Sequence, residues 1–250
     1  MAISESAKLL RELYKNILKD SVTAPAPPPT AKALWPNPTA DPPDPTTPLP
    51  NLEFFCKVNR VDGTELFIID EENKRHAMYL AHMKTETSTK VVLVKFAAKY
   101  NEDAHHLLAS KNPPLAPALH YCTRVVGDMY MIVMDYIPKS EGQSLHSAPP
   151  LLSSALEVVQ RGIDQALNLL HEKGLVFGDL REANVLYLPE GGGRVMLVDF
   201  DGVGLDGRDR YSASLNPEAG LGVDRWEIMR KAHDSENLRQ LMGRLSRSNT

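Results

Sequence analysis

Eleven of the chain's nineteen prolines fall between residues 21 and 50, mixed with Ala, Thr and Asp. Proline fixes φ and donates no backbone hydrogen bond, so this stretch can form neither a packed helix nor an internal strand. It is expected to be a stiff, extended linker. The linker divides the 250-residue chain: a sizeable core has to be assembled from about residue 51 onward, with one short segment left in front. In that front segment Leu9, Leu10, Leu13, Tyr14, Ile17 and Leu18 recur at helical spacing, opposite Lys8, Arg11, Glu12, Lys15 and Lys19. The pattern predicts one amphipathic helix within residues 1–20. It reads first as a helix docked on its own domain. Alternatively the helix, with a PxxP match from Pro45 to Pro48 in the linker, offers a surface to a protein partner.

Composition narrows the function classes. With 28 Lys and Arg against 32 Asp and Glu, the formal net charge is −4. A surface that tracks nucleic-acid phosphates needs a basic excess this chain lacks, so nucleic acid is not the expected partner. Cys56 and Cys122 are too few for a disulfide framework and fit no metal spacing. No apolar run reaches bilayer length, and Glu5, Lys8, Arg11 and Glu12 interrupt any signal-like apolar region. The expectation is a cytoplasmic or nuclear protein with no membrane partner.

From Leu52 the texture changes. Phe54–Val61 and Glu65–Asp70 read as strands around a turn at Asp62-Gly63-Thr64. Lys90–Phe96 is rich in β-branched residues and reads as a strand, followed by a short helix over Glu102–Leu108. His120–Val126 and Met129–Tyr136 are two further strands turning at Gly127-Asp128. Adjacent His105 and His106 face different ways on a helix and read as ordinary polar residues. After Gly142 a long helix is expected, with Leu156, Val159, Ile163, Ala166, Leu167 and Leu170 on its apolar stripe. Ser154 and Glu157 suggest a capping box, and Gly174 its end. Val185–Leu188 and Arg194–Val198 then form a hairpin. No lysine-serine pair follows Gly191-Gly192-Gly193 and no helix opens there, so the triple glycine is a turn rather than a phosphate loop.

The chemistry-bearing residues sit in two stretches. Asp179 and Asn184 lie in a loop between the long helix and the hairpin, and Asp199 ends an apolar strand, where a carboxylate is costly unless something binds it. A carboxylate and an amide oxygen brought together suit a Mg²⁺ ion that also holds phosphates. Asp179 is then left to face an acceptor.

Gly178-Asp179-Leu180-Arg181-Glu182-Ala183-Asn184 resembles the protein-kinase catalytic loop, and Asp199-Phe200-Asp201 resembles the metal-binding triplet that follows it. Val91-Val92-Leu93-Val94-Lys95 is similar to the strand that carries the phosphate-contacting lysine. Met134-Asp135-Tyr136-Ile137 is similar to the hinge that receives adenine, and Asn216-Pro217-Glu218 to the end of the activation segment. The resemblance runs over roughly residues 52–240, and its texture is similar to a kinase-like family abundant in fungi.

It implies an α+β, two-lobed kinase-like fold: an N-lobe at 51–140 and a shortened C-lobe at 141–250, preceded by the helix and the Pro-rich linker. It further implies ATP and Mg²⁺ as cofactors. Asp179 and Arg181 would be catalytic, Asn184 and Asp199 would hold the metal, and Lys95, Glu102, Met134, Asp135 and Tyr136 would contact nucleotide or brace the residues that do. Glu102 is expected to pair with Lys95, and Asp224 to match the buried aspartate that braces the catalytic loop.

Several residues depart from the pattern. Gly63 stands alone where a glycine-rich loop is expected, Phe177 and Gly178 replace histidine and arginine, and Asp201 replaces glycine in the metal triplet. The implied activity is phosphoryl transfer to a protein serine or threonine. The alternatives are a small-molecule kinase of the aminoglycoside or choline type, and a catalytically silent scaffold that binds protein partners.

Overall fold

The computed structural model describes residues 35–42, 48–58, 65–66, 77–213, 215 and 221–247. The chain divides into residues 1–36 and residues 37–250, and every strand and helix named below belongs to the second unit. The predicted N-terminal helix, the PxxP match, the turn at Asp62-Gly63-Thr64 and Asn216-Pro217-Glu218 lie outside the described residues.

In chain order the first half consists of β1 (Asn51–Val58), β2 (Glu65–Leu66), β3 (Met78–Lys84), β4 (Thr89–Ala97), α1 (Glu102–Ala109), β5 (Leu119–Val125) and β6 (Met129–Asp135). The strands form one antiparallel sheet in the order β2-β1-β3-β4-β6-β5, with β2 contributing only two residues. Alternate residues of a strand face opposite ways. Val92 and Val94 of β4 and Met131 and Val133 of β6 therefore share one apolar cluster. Ile132 and Met134 face the other way, into the main core with Ala104 and Leu108 of α1.

β3 is a strand that sequence patterning does not announce. Its residues, Met-Tyr-Leu-Ala-His-Met-Lys, include none that are β-branched. It is held by pairing on both sides, Leu80 opposite Cys56 on β1 and opposite Leu93 on β4, so sheet context overrides weak propensity.

Part of the linker joins this sheet at its β5 edge. The Val126 amide donates to Thr39 O (2.8 Å) and the Asp41 amide donates to Arg124 O (3.0 Å). The residues that bond lie between Pro38 and Pro42, an arrangement open to a proline-rich segment only at a sheet edge.

The second half holds β7 (Gln143–Ser144), α2 (Ser153–Glu172), β8 (Leu175–Val176), β9 (Val185–Leu188), β10 (Arg194–Leu197), β11 (Gly204–Leu205) and α3 (Lys231–Arg247). Val159, Ile163, Ala166, Leu167 and Leu170 are the buried stripe of α2. The expected capping box does not form. Leu152 occupies the cap position in extended conformation, the Leu156 amide already bonds Leu152 O (3.0 Å), and Ser154 is inside the first turn. At the other end the Gly174 amide donates to His171 O (3.0 Å) at φ +72°, the left-handed residue that stops a helix. Gly191, Gly192 and Gly193 all have positive φ and turn β9 into β10, as a hairpin turn requires. Among the described residues no helix is long and apolar enough to cross a membrane.

Candidate active site

The loop carrying Asp179 is fixed from below by the last helix. Asp234 on α3 is fully buried, and its carboxylate accepts from the amides of Phe177 (2.8 Å) and Gly178 (3.0 Å). His171 Nε2 lies 2.9 Å from the same carboxylate. A buried carboxylate is tolerated because these donors satisfy it. The bracing aspartate is therefore Asp234 and not Asp224, which lies exposed in a loop. Asp234 shares a helix face with Asn237, Leu238 and Leu241, and an acid at the spacing of Leu238 and Leu241 was the signal that could have found it.

Gly178 is a position only glycine fits. Its φ is +77°, and a Cβ there would stand 2.5 Å from Met229 Cε and 2.8 Å from Gly202 O. With the loop held in this way, Asn184 closes it from above. Its Nδ2 donates to Asp179 O (2.9 Å) and to Asp179 Oδ2 (2.8 Å). Both bonds use the amide nitrogen, so the side-chain oxygen is the atom left for an outside ligand. Arg181 Nε approaches Asp179 Oδ1 at 3.0 Å as an ion pair without the alignment of a hydrogen bond. Glu182 is tied in turn to Arg244 of α3 (3.1 Å).

Asp199 follows β10 and adopts the left-handed conformation, φ 70° and ψ 71°, leading into a single 3-10 turn over Phe200–Gly202. This turn sends Phe200 into the core at 0% exposure and the neighbouring carboxylates toward Lys95. Lys95 of β4 meets both of them, with Nζ 2.5 Å from Asp199 Oδ1 and 2.6 Å from Asp201 Oδ1.

Glu102 does not take part in that pairing. It is the first residue of α1, half-exposed, with its carboxylate 3.5 Å from His106. Asn101 caps this helix through the Ala104 amide (2.9 Å), which places Glu102 in the exposed first turn. The two adjacent histidines also part company: His106 is exposed, whereas His105 is fully buried against Phe200, so the ordinary-polar reading fails for His105.

One cleft gathers most of the expected residues. Lys95, Met134, Asp135, Tyr136, Asn184 and Asp199 line it, with apolar walls from Val58, Leu93 and Leu186. The chain leaves the sheet after Asp135, so Met134 to Ile137 form the connection between the two halves along the cleft. The Asp135 carboxylate is paired through Oδ1 with Lys90 Nζ (2.6 Å) and His120 Nε2 (2.5 Å). Asp179 and Arg181 are not among the cleft-lining residues; they reach the cleft through Asn184.

Neither a protein-family model nor a curated protein matches the sequence. In structure the chain is similar to the kinase PK-1 of Cydia pomonella granulovirus, with a TM-score of 0.52 and 17% identity over 78% of this chain and 70% of that one. The fold is kinase-like. Its helical half is short, and the match does not extend to the fungal family the sequence resembles.

The oxygen donors of this kinase-like cleft suit a hard divalent ion. Asp199 supplies a carboxylate and Asn184 an amide oxygen, both at the cleft wall. An apolar recess with a few convergent polar groups is also the usual form of a small-molecule site.

Proposed function

We propose that this chain is a kinase that uses ATP and Mg²⁺ to phosphorylate serine or threonine in a protein. The observation that carries the reading is the convergence of Lys95, Asn184 and Asp199 on one cleft beside the Met134–Ile137 connection, with Asp179 bonded to Asn184. Phosphoryl transfer asks for positioning and charge stabilisation more than covalent chemistry, and those are what this arrangement supplies. Lys95 would contact the phosphates. Asn184 and Asp199 would hold Mg²⁺, which neutralises phosphate charge when bound. Arg181 would stabilise the transferring group, and Asp179 would orient the acceptor hydroxyl and take its proton. The likeness of residues 178–184 to the protein-kinase catalytic loop supports a protein acceptor, while the Gly178-Asp179-Leu180 start and the Asp199-Phe200-Asp201 triplet are shared with small-molecule kinases. A cytoplasmic or nuclear location goes with this reading.

The test is thermal unfolding of the wild type and Asp199→Ala with ATP and Mg²⁺. At a hundred times its dissociation constant, a ligand stabilises the fold by about 2.7 kcal/mol. A Mg²⁺-dependent rise lost in Asp199→Ala supports the nucleotide site. No rise in the wild type at ample excess overturns it and leaves a partner-binding scaffold. Labelled phosphate transfer to generic protein substrates, set against aminoglycosides and choline, then decides the acceptor.

A further inference from the structure

Among the described residues, three buried side-chain polar atoms have no hydrogen-bond partner: Nδ2 and Oδ1 of Asn237 and Nε of Arg181. Such atoms are few in a folded protein, because each one loses its water and gains no bond in return. Asn237 is 2% exposed and leaves both its donor and its acceptor unused. An apolar side chain there would avoid that cost.

The place of Asn237 on α3 says what it faces. Asp234, three residues before it, holds the amides of Phe177 and Gly178, and Arg244, seven residues after it, holds Glu182. Residues three and seven apart lie on one side of a helix. The helix therefore runs alongside the loop, and Asn237 stands between the two anchored points, against residues 179–181. The middle one is Leu180, itself 1% exposed, and among the described residues no hydrogen bond reaches its amide or its carbonyl. An asparagine amide offers a donor and an acceptor side by side, which matches the C=O and N–H of a peptide chain. Next to Leu180, Arg181 is drawn onto Asp179 Oδ1 (3.0 Å) as an ion pair that leaves Nε without a hydrogen bond.

We propose that Asn237 is a positioning residue for this loop: when Arg181 turns from Asp179 to the terminal phosphate of a nucleotide, the Leu180 backbone settles onto the Asn237 amide. The contact fixes Asp179 and Arg181 on either side of Leu180. Because the terminal phosphate drives it, ATP is bound in preference to ADP. This inference rests on the nucleotide-binding reading of the cleft.

The experiment is calorimetric titration of the full chain, in saturating Mg²⁺, with ADP and with a non-hydrolysable ATP analogue. The wild type is expected to bind the analogue more tightly than ADP. Asn237→Leu is expected to weaken the analogue about tenfold, the worth of two modest hydrogen bonds, and to leave ADP within about twofold. Asn237→Ser, which keeps a donor and an acceptor, should bind the analogue more tightly than Asn237→Leu does. In an Arg181→Met background, Asn237→Leu should lose most of its effect, since coupled residues are non-additive. If Asn237→Leu does not fold, Asn237→Ala carries the comparison. Equal weakening of both nucleotides, no weakening of either, or an effect that survives Arg181→Met in full overturns the proposal and leaves the nucleotide site standing. So does a wild type that binds the analogue and ADP equally. A wild type that binds neither overturns the nucleotide reading, and this inference with it.

Discussion

His105 lies flat on Phe200, their ring centroids 4.6 Å apart and their planes 12° from parallel. Phe200 in turn meets Phe177 edge-on at 5.9 Å. Three rings thus run from α1, past the residue after Asp199, to the residue two before Asp179. Such contacts add roughly 0.5–1.5 kcal/mol each beyond area burial, and they key the sheet half to the loop that carries Asp179. The imidazole edge is fully satisfied: Tyr100 Oη is 2.7 Å from Nδ1 and Pro117 O is 2.7 Å from Nε2. A carbonyl only accepts, so Nε2 carries the proton and Nδ1 accepts from the tyrosine hydroxyl.

The first prediction concerns pH. Burial pushes the His105 pKa down from 6.5 to about 4, outweighing the opposing bond to Pro117. The folded state then binds fewer protons than the unfolded state between these values, so stability falls as pH falls through that window. Between about pH 7.5 and pH 5 the loss is about 2 kcal/mol from this group. Urea unfolding at both pH values checks it. His105→Gln, which does not titrate, should lose about 2 kcal/mol less than the wild type over the same interval. An equal loss in both proteins would exclude His105 as the source.

The second prediction separates the two candidate bracing acids. Asp234→Ala leaves two buried amides and His171 without their acceptor, and it should cost about 3–5 kcal/mol in denaturant unfolding. Asp224→Ala, on the exposed residue, should change stability by less than about 0.5 kcal/mol. Similar effects from the two variants would mean that the loop is not held from α3.

A third prediction sets helix propensity against packing. Alanine is the better helix former by about 1 kcal/mol, yet a Cβ at Gly162 would stand 2.3 Å from Val195 Cγ2. Gly162→Ala should therefore destabilise by about 1–2 kcal/mol net. Combined with Val195→Ala, it should fall short of the sum of the single losses by about 1 kcal/mol. Additive losses would show that α2 does not lie this close to β10.

Much of the architecture was legible because its signals are local. The β-branched run of β4, the turn glycines at 127 and 191–193, and the apolar stripe of α2 each announce an element within a few residues. β3 gave no such signal, since its strand character comes from two neighbours with which it shares hydrogen bonds. Ser154 and Glu157 gave a false one: the chain enters the helix two residues early and leaves Ser154 inside the first turn. Glu102 follows from the resemblance only as an acid on the helix after Lys95, and a place on a helix does not say which way a residue faces.

What the sequence determined by itself was the inventory. It supplied the Asp179–Asn184 loop, Asp199 at a strand end, Lys95 on a strand, and a proline-rich stretch unfit for a helix or an internal strand, because backbone restriction and the cost of an unpaired buried carboxylate act residue by residue. The partners were decided by the tertiary structure alone. Lys95 meets Asp199 and Asp201 across 104 and 106 residues, and Asp234 holds Phe177 and Gly178 across 57 and 56. Charges and hydrogen bonds act over a few ångströms of space whatever the distance along the chain, so the pairing of these groups is fixed only when the sheet and helices close around the cleft.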